Sequence, residues 1–310
     1  MHVLIPFAGL PRHEDAPRPA ELALRNLEGL LPLLTETARD EGDASTLTPP
    51  HERAFARVVG LTGGDGLLPW AAYMAQRDGI ETLDLAWGLL TPLHCAVSAD
   101  GVAFGDPEAL MLGAAESHAL FDALRPLFAD EGVALAWAAP LRWYIAHESL
   151  AGLATASIDR VVGVGLDALM PPLAGARLLP RLLSEAQMVL YEHPVNVERD
   201  QRGRLPVNSL WLSGCGPAQS AHRHSRFAIA NDLRGPALAG DRDAWCNAWR
   251  AIDDGPVREL LSRARRGEPV RLTLAGQRSA VQLDHAPLGP LDRWRRRRGA
   301  PAVFDLLASL

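Results

Sequence analysis

The sequence predicts a mixed α/β protein, and three observations carry that expectation. Strand-like apolar runs stand near both ends of the chain, at His2–Ala8 and Val270–Leu274. Apolar residues at helical spacing mark Glu21–Leu34, Ala114–Phe128, Leu182–Tyr191, Asp243–Arg250 and Pro256–Arg265. The middle is rich in hairpin signals: His94–Val97 and Val102–Phe104 flank Asp100-Gly101, and Ala134–Ala138 and Leu141–Ala146 flank Ala139-Pro140. A chain of 310 residues, 48% of them hydrophobic, suggests about two domains with a sizeable core.

Taken in order, the first strand should stop at Pro6, and the helix of Glu21–Leu34 should give way to an acidic loop through Asp43. A helix should start at Pro49-Pro50-His51-Glu52, with Thr48 as a cap ahead of the prolines and Phe55, Val58 and Val59 on its buried face. Gly60–Gly66 is a glycine-rich connection without the lysine of a phosphate loop, and Leu67–Gln76 reads as an apolar helix. Ile158–Val164 reads as a further strand and Pro171–Arg177 as a linker. The Leu182–Tyr191 helix must end by Glu192 and His193, because Pro194 disfavours helical geometry just before itself. Ser209–Leu212 reads as a strand, Phe227–Ala230 as a short one, and Gly267 as a helix stop.

Composition removes several function classes. There is no lysine, which excludes Schiff-base chemistry, pyridoxal phosphate linkage and a Walker-type phosphate lysine. The net charge of −6 does not favour nucleic acid, and the one basic cluster, Arg293–Arg298, reads as a solvated surface run. Cys95, Cys215 and Cys246 lack CxxC spacing, which fits a reducing compartment and a cytoplasmic location. No segment is long and apolar enough for a membrane span, so no membrane partner is expected.

The chemistry that stands out is HPVNVERDQRGRLPVNSLWLSGCG, from His193 to Gly216. Arg199, Arg202 and Arg204 fall between a helix and a strand, with His193, Asn196 and Asn208 among them. Guanidinium forks suit carboxylate and phosphate, and the Ser213-Gly214-Cys215-Gly216 turn lets a backbone approach a ligand or turn sharply. One reading is an anion site built from these residues. The other is a solvated loop whose asparagines cap turns and whose arginines face water.

A helix followed by HPVN, two residues, Arg, a basic-and-Gly run, Leu-Pro-Val-Asn, an apolar strand and Gly-x-Gly resembles the closing part of the archaeal-type cofactor-independent phosphoglycerate mutases, of the alkaline phosphatase superfamily. Over most of the chain, PHERAFARVVG, LAWGLLTPLHCAVSADGVAFGDPEAL, APLRWYIAHESL and NSLWLSGCG resemble a bacterial family described as RpfE-type regulatory proteins, often labelled phosphoglycerate mutase-like. The resemblance implies an alkaline phosphatase-like α/β core with a largely parallel sheet, formed by residues 1–81 and 206–310. A smaller α+β cap would be inserted at 82–205.

It also locates departures from the family pattern. Where the superfamily's first strand delivers a metal-binding aspartate, this chain has Pro6-Phe7-Ala8-Gly9; where the mutases have a nucleophilic serine followed by aspartate, it has His51 and Glu52. Glu14 and Asp15 lie further on, in a polar loop. Arg142 stands where the mutases have a glycine-tyrosine-arginine segment, and Glu116-Ser117 matches an ES pair. Of the metal-ligand motifs, Asp253-Asp254-Gly255 lacks its histidine and Asp284-His285 is a two-residue match. The implied function is a mutase-like protein without the usual metal and serine chemistry, non-catalytic and regulatory or binding a phosphorylated ligand. No cofactor is then expected. The alternatives are an active mutase or phosphotransferase using manganese or magnesium with His51, Asp284 and His285, and a scaffold for a protein partner. The expected ligand set is Arg142, His193, Asn196, Arg199, Arg202, Asn208, Ser213, Gly214 and Gly216.

Overall fold

The computed structural model describes residues 1–11, 21–43, 45–98, 101–163, 178–222, 226–285 and 302–310. Glu14, Asp15, the Pro171–Arg177 linker and the Arg293–Arg298 cluster lie outside them. In chain order the elements used below begin with β1 (His2–Ile5), α1 (Arg25–Leu30), β2 (Leu34–Glu41), α2 (Pro50–Val59), α3 (Trp70–Arg77) and β3 (Ala86–Leu93). They continue with β4 (Cys95–Ser98), β5 (Gly101–Phe104), α4 (Ala114–Asp130), β6 (Ala134–Ala139), β7 (Arg142–Ala146), α5 (Ile158–Val161), α6 (Leu178–Tyr191) and α7 (Pro194–Gln201). Then come β8 (Ser209–Pro217), β9 (Phe227–Ile229), α8 (Arg234–Ala239), α9 (Arg242–Ile252), α10 (Arg258–Arg265), β10 (Arg271–Ala275), β11 (Ser279–His285) and α11 (Val303–Ala308).

The chain divides into two compact units. The first joins Met1–Ala44, Pro49–Val59 and His222–Leu310; the second joins Ser45–Thr48 and Gly60–Ala221.

The first unit is built on a five-stranded sheet in the order β2-β11-β10-β1-β9. β1 runs parallel to β9 and β10, whereas β11 is antiparallel to both β10 and β2. The sheet is therefore mixed rather than largely parallel, because the short Gly276–Arg278 connection between β10 and β11 permits only a hairpin. One face carries Val3, Ile5, Leu272, Leu274, Val281 and Leu283, packed against Leu27 and Leu30 of α1, Trp245 and Trp249 of α9, and Leu260 of α10 in a continuous core. The other face is covered thinly by α2, where Leu4, Ala54, Ala275 and Ala280 are the buried contacts. Asp253, in a π-helical turn joining α9 to α10, caps α1 by accepting from the Leu27 and Asn26 N–H groups at 2.8 and 3.0 Å.

The second unit has a four-stranded antiparallel sheet, β6-β7-β3-β8, and a separate β4–β5 hairpin. Its larger core sets Leu90, Trp143, Ile145 and Leu212 against Leu120, Leu124 and Phe128 of α4 and Leu182, Ala186 and Leu190 of α6. The opposite face is narrower: Ala71, Ala72 and Ala75 of α3 sit on Trp87, Tyr144 and Ala146.

Two local expectations are corrected. Leu34–Glu41, read as the end of a helix and an acidic loop, is the edge strand β2; most of its residues are exposed, so no apolar alternation marked it. Ile158–Val161 is a helical turn and not a strand, because Ser157 caps it by accepting from the Asp159 N–H. The Thr48 hydroxyl accepts from the Gly66 N–H at 2.8 Å.

Candidate functional site

The His193–Gly216 block is a brace inside the second unit. Pro194 sits at the first helical position of α7, and His193 caps that helix, its Nδ1 accepting from the Val195 N–H at 3.2 Å. Burial lowers the His193 pKa, favouring the neutral imidazole that can accept. Asn196 is buried and acts as a backbone surrogate: its amide donates to the carbonyls of Leu190 and Val207, both at 2.7 Å, and accepts from the Val207 N–H at 2.8 Å. Asn208 does the same for the β4–β5 hairpin, accepting from the Cys95 N–H at 2.7 Å and donating to the Cys95 carbonyl at 2.9 Å.

Arg199 has a side chain that is 0% exposed. Its guanidinium donates to the carbonyls of Leu205 and Leu110 and to Glu116 Oε2 at 2.8 Å, and the same oxygen accepts from the Gly113 N–H at the start of α4. Arg199 therefore ties α7 to α4 and to the turn before β8; its geometry makes it a positioning residue of the fold. Arg202 is exposed and, among the described residues, pairs with Glu198 at 3.2 Å, and Arg204 is exposed beside it. Of the expected cationic set, these remain presented to solvent.

Ser213, Gly214 and Gly216 belong to β8 itself and not to a loop after it. Leu89 pairs with Ser213 and Trp87 with Gly216, so Gly214 and Cys215 together oppose Gly88 in a bulge. Gly214 has φ +64, and a Cβ there would lie 2.8 Å from Trp70 Cβ. The close approach that the glycines permit is to the start of α3, within the protein. Cys215, enclosed in the same bulge, has a thiol pKa pushed up to about 12 by burial, which leaves it a poor nucleophile.

Arg142 and Tyr144 share the α3 face of β7, which settles the facing that sequence order left open. Arg142 forms a bidentate pair with Asp78, at 2.7 and 2.9 Å, and the Tyr144 hydroxyl donates to the same carboxylate at 2.6 Å. Burial opposes the Asp78 charge, but the bonds from Arg142 and Tyr144 outweigh it and hold the pKa below the ordinary value. Burial and the neighbouring Asp78 push the Tyr144 hydroxyl upward, so it stays protonated and donates. The Glu116-Ser117 pair is likewise absorbed: the Ser117 hydroxyl accepts from the indoles of Trp137 and Trp143, at 2.9 and 3.0 Å, and donates to the Pro140 carbonyl.

In the first unit, the carboxyl end of β1 is followed by Pro6-Phe7-Ala8, and Phe7 adopts φ 56. Its ring lies 5.1 Å from that of His51, on the first turn of α2. Beside them the Ala8 N–H donates to the Ala275 carbonyl, and a Cβ on Gly276 would meet Leu310 at 2.6 Å, so the same end of the sheet is packed with the segment that follows α11. Asp284 and His285 lie at the other end of the sheet, where Asp284 pairs with Arg271 at the start of β10. Arg271 grips Asp284 through two bonds, at 2.6 and 3.0 Å, and Thr37 adds a third. Burial raises the Asp284 pKa, and these donors bring it below the ordinary value. The fold does not bring His51 together with Asp284 and His285. Pro6-Phe7-Ala8-Gly9 offers no side-chain donor, and Asp284 is engaged by an arginine.

No family model matches the chain. A stretch of 82 residues is 35% identical to the 2,3-bisphosphoglycerate-independent phosphoglycerate mutase of Methanothrix thermoacetophila, covering 25% of this chain and 20% of that protein. A stretch of 61 residues is 38% identical to a probable 2,3-bisphosphoglycerate-independent phosphoglycerate mutase of Geobacter sulfurreducens, covering 19% and 15%. Part of this chain is weakly homologous to cofactor-independent phosphoglycerate mutases. The matches span a fifth or less of those relatives' length. Among solved structures, the cofactor-independent phosphoglycerate mutase from Thermoplasma acidophilum aligns over 92% of this chain and 89% of its own, at 17% identity and TM-score 0.34. The PH0037 protein from Pyrococcus horikoshii aligns over 99% and 97%, at 12% identity and TM-score 0.41. Among the described residues no helix is long and apolar enough to cross a membrane.

Proposed function

We propose that this is a phosphoglycerate mutase-like protein of the RpfE-type group that does not run metal- and serine-based phosphoryl transfer and acts as a regulatory or phosphorylated-ligand-binding protein of the cytoplasm. The observation that carries the reading is the contact between Phe7 and His51. Phosphoryl transfer through an alkoxide needs a hydroxyl nucleophile and a metal or equivalent charge at one point. At the carboxyl end of β1 and the first turn of α2, this chain sets an aromatic ring against an imidazole. The weak homology to the mutases supports the family half of the reading, and the engaged state of Asp284 supports the loss of metal chemistry. A phosphorylated ligand would be met in the second unit by Arg202 and Arg204, which are exposed, while Arg199 holds the loop that carries them.

The test is a calorimetric titration of metal-stripped protein with 3-phosphoglycerate, repeated with manganese, alongside a mutase turnover assay. The expected result is metal-independent binding, weakened several-fold by Arg202→Ala combined with Arg204→Ala, and no turnover. Turnover with manganese, or binding that requires it, would restore the enzyme reading. Absence of binding in both buffers would remove the phosphorylated ligand and leave a protein partner.

A further inference from the structure

The thinly covered face of the first unit's sheet carries His2, Leu4, Arg271, Thr273, Gln282 and Asp284, by alternation from the paired registers. α2 shields the middle of that face, with Ala54 against Leu4, Ala275 and Ala280. At the end where β1, β9 and β10 begin lies a cavity of about 640 Å³, lined by Arg57, Arg226, Phe227, Arg271, Asp284 and His285 among others. It is at the end of the sheet opposite Phe7 and His51, and its size is that of small-molecule sites.

Three guanidinium groups border this cavity, and two of them are fixed. Asp284 holds Arg271 through a bidentate pair, and Asp40 holds Arg57 at 2.6 Å. Asp284 is the one carboxylate on the described lining, and Arg271 already faces it. Arg226 is exposed and forms no ion pair among the described residues. The apolar wall is aromatic: Phe227 is half-buried, stacked 5.4 Å from Phe55 at an interplanar angle of 6°, with the His2 ring 4.9 Å away edge-on. The His2 ring is steadied at 2.9 Å by the Thr273 hydroxyl.

A free guanidinium beside two anchored ones, over a rigid aromatic wall, suits a ligand with a flat apolar body and a terminal dianion. We propose that this cavity binds a small phosphomonoester with an aromatic body, of the size and chemistry of a nucleoside monophosphate, with the phosphate toward Arg226 and the flat body against Phe227. Arg271 and Arg57 supply further positive potential without leaving their carboxylates. The site stands on the first unit alone and does not rest on the mutase-like reading.

The experiment is a calorimetric titration of the full chain with adenosine monophosphate, adenosine and inorganic phosphate. Adenosine monophosphate should bind at least tenfold more tightly than either fragment. Arg226→Glu should weaken it at least tenfold with the melting temperature unchanged, and raised salt should weaken it as well. Arg202→Ala with Arg204→Ala should leave this affinity untouched, which separates the site from the second unit's arginines. No binding at millimolar concentration, equal affinity for adenosine, equal affinity for phosphate, or indifference to Arg226→Glu would each overturn the proposal.

Discussion

Arg199 and Arg226 have the same side chain and opposite employment. Arg199 lies in the densest polar stretch of the chain, yet it is fully enclosed and spends its donors on Glu116 and two carbonyls. Arg226 sits beside a short strand in an unremarkable stretch of sequence, yet it faces a cavity with its charge uncommitted. Polar residues crowded along a sequence are often crowded because a turn-rich segment must satisfy its own backbone groups, as Asn196 and Asn208 do here. Residues that share an open surface are gathered from distant segments: Arg57, Arg226 and Arg271 come from a helix, a turn and a strand.

The largest expected effect breaks the first of the two. Arg199→Ala would take the guanidinium from Glu116 and from two carbonyls, and about 3 kcal/mol should be lost from the unfolding free energy, read as a lower urea midpoint with unchanged slope. Ser117→Ala should cost about 2 kcal/mol, because the Trp137 and Trp143 indoles both lose their acceptor; a change in near-ultraviolet circular dichroism should accompany it. Gly214→Ala should cost about as much, since φ +64 is strained for alanine and Trp70 blocks the Cβ; a hydroxyl-free, charge-free change of this kind isolates packing from electrostatics.

A pH series sharpens the comparison further. Asp78, Asp40 and Asp284 all have pKa values below the ordinary one; in each, burial opposes the charge and arginine partners prevail. A depressed folded-state pKa contributes stability that is present above the unfolded value of about 4 and is lost as the pH falls through the lower folded value. Asp78→Asn should therefore flatten the acid limb of a stability–pH profile while leaving the alkaline side unaltered. The smallest effect belongs to Arg226→Ala, whose melting curve should match the parent, with a stability change within about 0.5 kcal/mol, because nothing in the described fold leans on its charge.

These contrasts bear on what a sequence discloses. β1, β10, α6, α9 and α10 were legible because they bury a regular apolar face or end at Pro194 or Gly267. β2 was not, since an exposed edge strand of Thr, Glu, Arg and Asp has no apolar period and is specified by its partner β11. The brace residues were legible as chemistry but not as direction. No spacing rule tells whether Arg199 turns inward to Glu116, 83 positions away, or outward to a ligand. The bulge at Gly214 was half legible: two glycines announced a close approach, and only the packing of α3 revealed that the approaching group is Trp70. The cavity at Arg226 left no local mark, because its members are scattered from Met1 to His285.

Asn208 also sets how firmly the β4–β5 hairpin is held. Its amide fastens the β4–β5 hairpin with one accepted and one donated hydrogen bond to Cys95, and it precedes Ser209. Deamidation would replace the NH2 by oxygen, leaving the contact with the Cys95 N–H intact and setting two oxygens against each other at the carbonyl. Loss of that one donor, as in Asn208→Asp, should weaken the hold on the hairpin while the contact with the Cys95 N–H remains.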